Sequence, residues 1–396
     1  MLLLSATNVL GLSPPSSAFD FVIVGGGTAG CVLANRLSAD PSTRVLVLEP
    51  GPSPRGSLKI AAPVALTKLF HSSWDWSFAS SPTTATAGRK VHLARGRALG
   101  GSSALNALLY HRGAAEDFDA WALPGWGSEE MLESFRAVEA QTRPDLKSSA
   151  YHGIDGAVGV EDVRPRGAPT LERPAYRDLH EVTWPHVPAA QARYTNPLSS
   201  SFMEAALQAG FSENTDFNDW SRPQEGVGRF QLQTRRGRRA HAAATHLRPA
   251  RHRANLHVRS GATATRVLLD ERCAATGVAY KDENGEEQVA TVEPASGEVL
   301  LCAGAVNTPQ LLMLSGVGPR AELQRHGLSV AVELPGVGHN LADHPAVVTG
   351  FTINEPLSIT DQMFVGKGIL SPARVAQWLA RGSGPLATSG CDFGGL

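Results

Sequence analysis

Apolar and polar positions follow two different rhythms along the chain. FDFVIV (19–24), RVLVLE (44–49) and EVLLCAG (298–304) are short, nearly unbroken apolar runs bounded by turn residues. Strands buried on both faces of a parallel sheet read this way, because neither face is left for polar side chains. Thr28 to Ser38 carries helix spacing between the first two runs. Strand, glycine turn, helix and strand in this order make a βαβ unit. NLHVRSGATATRVLLD (255–270) and TGVAYKDENGEEQVATVE (276–293) predict strands and a hairpin, with Asn284-Gly285 at the turn. TPQLLMLSG (308–316) predicts a short helix that opens at Thr308-Pro309 and stops at Gly316. Residues 161–192 keep neither rhythm. Proline recurs there at 165, 169, 174, 185 and 188, which predicts a long loop or a disordered insertion.

Composition narrows the function classes. A chain of 396 residues with 42% hydrophobic residues can bury a large core in two or more domains. A formal net charge of −1 offers no global attraction to nucleic acid or to an anionic membrane. The arginine-rich stretch RRGRRAHAAATHLRPARHR (235–253) has no interleaved aromatic residues to stack on bases, so it reads as a solvated, partly helical surface. Cys31, Cys273, Cys302 and Cys391 form no C-x-x-C pair, which fits reduced thiols in a soluble intracellular protein. No apolar run approaches the roughly 18 to 20 residues of a transmembrane helix. Residues 1–18 are apolar and then Ser/Pro-rich without Lys or Arg, unlike a secretory signal or an Arg-rich transit peptide.

Candidate chemistry begins at Gly25-x-Gly27-x-x-Gly30, which follows a predicted strand and opens a predicted helix. Gly25 permits the tight turn, Gly27 allows a pyrophosphate to approach the backbone, and Gly30 lets the helix pack on the strand. Phosphates then meet the free amides and positive dipole end of the helix. Glu49 ends the second predicted strand, where a carboxylate can accept hydrogen bonds from an adenosine ribose. The spacing points to a dinucleotide and does not separate NAD from FAD.

Two further stretches, GRALGGSSALNALLYHRGAAEDFDAW (96–121) and GAVNTPQLLMLSGVG (304–318), make that separation by resemblance. With the glycine turn they resemble the glucose-methanol-choline (GMC) family of FAD-dependent oxidoreductases. The resemblance implies an α/β fold: a Rossmann-like FAD-binding domain with a mixed sheet, plus a smaller, incomplete α+β substrate-binding domain. It divides the chain into a tail (1–18), a first FAD-binding part (19–160), the insertion (161–192), the remainder of the oxidoreductase region (193–345) and the start of a substrate domain (346–396). It implies that Thr28 and Ala29 contact the pyrophosphate and Glu49 the ribose. Ala98, Ser102, Asn106, Ala107, Leu108 and Leu109 would lie along the flavin, with Ala264 at the adenine. The consecutive amides and small side chains of LGGSS suit a surface against phosphate or a flavin ring.

LYHRGAAEDFDAWALPGWGSE, NTDFNDWS (214–221) and GPLATSGCDFGG (384–395) resemble the family's algal fatty acid photodecarboxylase branch. That branch implies plastid localisation and a substrate-site role for Cys391. Its chemistry removes an electron from a fatty acid carboxylate in blue light; carbon dioxide leaves and hydrogen quenches the alkyl radical. Alcohol oxidation of the choline dehydrogenase type and an inactive flavin-binding fragment are the alternatives. The family's catalytic His/Asn pair lies beyond the matched stretch, so no histidine here is assigned as base. The resemblance therefore leads us to expect that residues 1–396 alone neither hold FAD tightly nor turn over substrate. No metal site and no nucleic-acid partner are expected; a small-molecule substrate is, with a fatty acid favoured.

Overall fold

A computed structural model of the chain describes residues 18–162, 194–344, 346–365 and 368–395. The chain divides into two compact units, each assembled from separate stretches. The first takes the described residues up to Arg55, then Phe78–Ala104 and Ala242–Val347; the second takes Gly56–Ser77, Leu105–His241 and Val348 onward.

The apolar runs of the first unit become a parallel sheet. β1 (Phe21–Val24) lies between β2 (Val45–Glu49) and the strand Glu298–Leu301, and Leu256–Ser260 adds to the other side of β2. α1 (Thr28–Leu37) connects β1 to β2. Side chains alternate between two cores. Val22, Val24, Leu46 and Leu48 pack against Ala262, Val267, Val278, Tyr280 and Ala290, from the antiparallel strands Thr263–Leu269, Ala275–Lys281 and Glu287–Thr291 and the residue before them. Ile23, Val45 and Val47 pack on the opposite side with Cys31 and Ala34 of α1 and with Ala243, Leu247 and Ala250. Coverage of both faces is the physical reason these strands carry no polar alternation. The sheet itself is wholly parallel, and the three strands packed upon it pair antiparallel. The predicted hairpin forms as read, with Gly285 at φ 83° and its amide on the Asp282 carbonyl.

Three sequence expectations need correction. The helix expected from Thr308 begins at Gly304 and runs to Leu314 with Pro309 inside it. Proline there forgoes one hydrogen bond near the helix start, so the Thr-Pro pair imitates an N-terminus without being one. Residues 161 and 162 are not loop; they close the strand Val158–Asp162, where the Glu161 carboxylate accepts from the amides of Arg236 and Gly237. The Pro-rich remainder of that segment, up to residue 192, lies outside the described residues. The arginine-rich stretch is only partly solvated: Arg239 and His246 are buried, and Ala242, Ala243, Leu247 and Ala250 are core.

The second unit orders Leu109–Tyr110, Gln231–Leu232, Val158–Asp162 and Glu139–Gln141 in one sheet. Charge organises its interior. Buried His152 sets Nδ1 2.8 Å from Glu139 Oε1 and Nε2 2.8 Å from Asp216 Oδ2. Arg112 donates to the other Glu139 oxygen at 2.5 Å, and Gln231 Nε2 donates to Asp216 Oδ1 at 2.9 Å. Both ring nitrogens face carboxylate oxygens, so the ring is an imidazolium. Burial alone would push it down; the hydrogen bonds to Asp216 and Glu139, and their charges, outweigh that and raise it to about 9.

A histidine raised from 6.5 to about 9 stabilises the fold fully below pH 6.5. That contribution is lost as pH rises through 9. Urea midpoints measured between those limits should fall with rising pH, and the fall should vanish in His152→Ala. That variant should itself lose about 3–5 kcal/mol, because two buried carboxylates lose their shared cation. A pH-independent midpoint in the parent protein would show that the ring is not charged in the fold.

Candidate functional site

The three motif glycines do different work. Gly25 has φ 102°, and a Cβ there would lie 2.5 Å from the Cys302 carbonyl oxygen. A Cβ on Gly30 would lie 2.0 Å from the Gly25 carbonyl oxygen. Backbone packing alone therefore requires both glycines. Gly27 differs: a Cβ there would meet Cys302 O at 3.7 Å and Gly101 Cα at 3.9 Å, ordinary contact distances. The fold does not need a glycine at 27, but a group approaching the backbone does. Gly27 caps α1 without a side-chain cap, Thr28 and Ala29 behind it are exposed, and the first turn carries no acid. Unpartnered amides and the positive end of the helix dipole suit an anion.

A second loop closes on this turn. The Gly100 amide donates to the Gly26 carbonyl at 2.7 Å, and Thr28 Oγ1 donates to the Gly100 carbonyl at 3.3 Å. Ser103 Oγ donates to the same carbonyl at 2.6 Å and accepts from the Ala242 amide at 2.9 Å. Gly101, at φ 53°, comes so close that a Cβ would stand 2.7 Å from Gly27 Cα. Ala98 is buried beneath the loop; Ser102 is exposed and its hydroxyl accepts from the Gly96 amide at 3.2 Å.

Glu49 completes the arrangement. Its Oε2 accepts from the Gly26 amide at 2.9 Å and its Oε1 from the Gly51 amide at 2.8 Å. Burial raises the carboxyl to about 7, against the pull of those two amides and of Arg97. The Glu49 carbonyl accepts from Ala262 at 3.0 Å, which starts the strand bearing half-buried Ala264 at the end of β2. The first unit thus brings together Gly25, Gly27, Thr28, Ala29, Gly30, Glu49, Ala98 and Ser102, with Ala264 leading away from them.

Asn106, Ala107, Leu108 and Leu109 belong to the second unit. Asn106 and Leu109 are exposed, Ala107 is half-buried and Leu108 is buried against Leu232. Cys391 is half-buried in the same unit. Burial pushes its thiol up, neighbouring Asp392 adds to that, and Ser389 opposes it. Asp392 is buried, accepts from Thr388 Oγ1, and is itself pushed up by burial. Sequence reasoning missed Gly101, Ser103, Arg97, Arg239 and Asp392. The paired glycines of LGGSS could have marked Gly101; nothing local marks the others. NTDFNDWS turns out to be interior scaffolding, with Asn214, Asp216 and Asn218 all buried.

Residues 19–346 match the GMC oxidoreductase family. The chain is 44% identical over 387 residues to the chloroplastic fatty acid photodecarboxylase of Chlamydomonas reinhardtii, covering 96% of this chain and 58% of the relative. It is 39% identical to an alcohol dehydrogenase [acceptor] of Pseudomonas putida, covering 96% of this chain and 62% of that protein. A formate oxidase from Aspergillus oryzae RIB40 superimposes with a TM-score of 0.78 at 25% identity, over 95% of this chain and 61% of the other. The chain therefore spans about three-fifths of the relatives it matches.

The glycine geometry makes a graded prediction. Gly25→Ala and Gly30→Ala should each destabilise the protein by at least about 1–3 kcal/mol, through a disfavoured φ or backbone overlap. Gly27→Ala should stay within about 0.5 kcal/mol of the parent. Thermal denaturation without added cofactor reads all three, and equal losses would refute the separation of roles.

Proposed function

The chain belongs to the GMC oxidoreductase family, and we propose that, together with the C-terminal part its relatives carry, it binds FAD and decarboxylates long-chain fatty acids in light. The observation that carries cofactor binding is the contrast among the glycines: Gly25 and Gly30 are demanded by the fold, Gly27 only by something laid against it. Thr28 and Ala29 take the pyrophosphate and Glu49 the ribose, while Ala264 serves the adenine through its backbone. Ala98, Ser102 and Asn106 to Leu109 are assigned flavin contact by resemblance. FAD, when bound, would supply a light-excited electron acceptor for a carboxylate or a hydride acceptor for an alcohol.

The similarity to the photodecarboxylase favours the first chemistry. The net change is R–COOH to R–H and CO2, with no external oxidant consumed. Cys391 suits a carboxylate substrate: a thiol pushed up by burial stays protonated at neutral pH and donates a hydrogen bond rather than attacking. Burial that opposes ionisation of Asp392 also lessens its repulsion of an incoming carboxylate. The similarity to an alcohol dehydrogenase supports the second reading, oxidation of a CH–OH donor. Plastid localisation is proposed with the first reading alone.

Residues 1–396 extended with a relative's C-terminal segment, supplied with FAD and a long-chain fatty acid, should form hydrocarbon one carbon shorter only under blue light, as seen by gas chromatography. Alcohol-dependent bleaching of the flavin in the dark, with no light product, would replace this reading by the second. FAD uptake with neither a light product nor alcohol-dependent bleaching would leave an inactive flavin-binding fragment.

Three substitutions resolve the roles. Glu49→Ala should weaken FAD binding by about 1–3 kcal/mol, the usual loss for a charged hydrogen bond, and Gly27→Val should abolish it; fluorescence of released flavin measures both. Retained affinity in both would remove the cradle from the proposal. Cys391→Ser should depress light-driven hydrocarbon yield while the protein stays yellow, and an unchanged yield would return Cys391 to a packing role.

A further inference from the structure

Leu108 is a buried, non-glycine residue at φ 69°, the left-handed region that branched side chains avoid. Such backbone persists only where its surroundings hold it from several sides. Three contacts do so here. The Leu108 amide donates to Asn106 Oδ1 at 3.3 Å, its carbonyl accepts from the Gln233 amide at 2.7 Å, and its side chain packs on Leu232. Asn106 opens the turn, and it is held in turn by Arg239. One guanidinium nitrogen, Nη1, donates to the Asn106 carbonyl at 2.6 Å and to Asn106 Oδ1 at 2.8 Å; Nε donates to the Ile60 carbonyl at 3.1 Å. Arg239 is buried, and although burial lowers it to about 10 it stays charged at neutral pH. Charge-assisted donors bind more strongly than neutral ones.

We propose that Arg239 is a positioning residue: through Asn106 it fixes the strained turn at Leu108 and so sets the orientation in which residues 106–109 meet the flavin. The proposal rests on the FAD reading above. It departs from the surface role expected for the arginine-rich stretch. A guanidinium is suited to the task because its planar fork reaches two carbonyls and an amide oxygen at fixed angles. A lysine ammonium at the same position has no such fork and can serve only part of the set.

The test uses Arg239→Met, Arg239→Lys, Asn106→Ala and the Arg239→Met/Asn106→Ala double variant. Backbone hydrogen exchange by mass spectrometry needs no flavin. Arg239→Met should speed exchange in peptides covering residues 105–110 at least tenfold and leave α1 unchanged, and Arg239→Lys should recover part of the protection. In FAD-loaded protein, Arg239→Met and Asn106→Ala should shift the visible flavin bands in the same direction, and the double variant should shift them no further. Unchanged exchange at 105–110 overturns the proposal. Faster exchange with flavin bands identical to the parent reduces Arg239 to a structural residue, which also overturns it. Global loss of fold in Arg239→Met transfers both readings to Arg239→Lys and Asn106→Ala, where additive or opposite band shifts refute it. Parent protein extended with a relative's C-terminal segment that takes up no FAD overturns the FAD reading itself, together with the flavin part of this proposal.

Discussion

The architecture of the first unit depends on backbone meeting backbone at the C-terminal end of a parallel sheet. Gly25 lies under the Cys302 carbonyl, Gly30 over the Gly25 carbonyl and Gly101 over Gly27, each too close for a side chain between them. These approaches set the height of α1 on β1 and seat the 96–103 loop on the turn. Glu49 then locks this end, because each of its two oxygens holds one amide, Gly26 from the turn after β1 and Gly51 from the turn after β2. Burial raises this carboxyl to about 7 against the pull of the two amides and of Arg97.

The second unit solves the same problem of buried polarity with full charges. His152 stands between Glu139 and Asp216, and Arg112 pairs with Glu139 again. Four charged side chains so arranged cancel, and each is fixed in direction by its partners. Rigidity of this kind supports strained backbone nearby in sequence, such as Leu108, only where individual hydrogen bonds reach it. Arg239 on Asn106 supplies them.

Several sequence signals were true to their local chemistry and misleading about place. A run of arginines is usually solvated, yet the hairpin Thr234–Arg235 with Arg238–Arg239 turns Arg239 inward while Arg235 stays exposed. Thr308-Pro309 has the chemistry of a helix start, but a helix already under way from Gly304 tolerates a proline early in its length. NTDFNDWS is rich in groups that could bind a ligand, and those groups are spent on the interior: Asp216 on His152 and Gln231, Asn218 on the Arg112 amide and the Tyr110 carbonyl.

What the sequence by itself determined is the part governed by short-range rules. Apolar runs without alternation mark strands covered on both faces, Asn284-Gly285 marks a hairpin, and glycines at 25, 27 and 30 between strand and helix mark a cradle, because each follows from steric limits on neighbouring residues. Tertiary structure alone decided which of those glycines the packing leaves room around, since that depends on Cys302 and Gly101, far away in the chain. It also decided the charge of His152, the pKa of Glu49 and the grip of Arg239 on Asn106. Each of these depends on burial and on partners brought together by folding, and no pattern in consecutive residues records them.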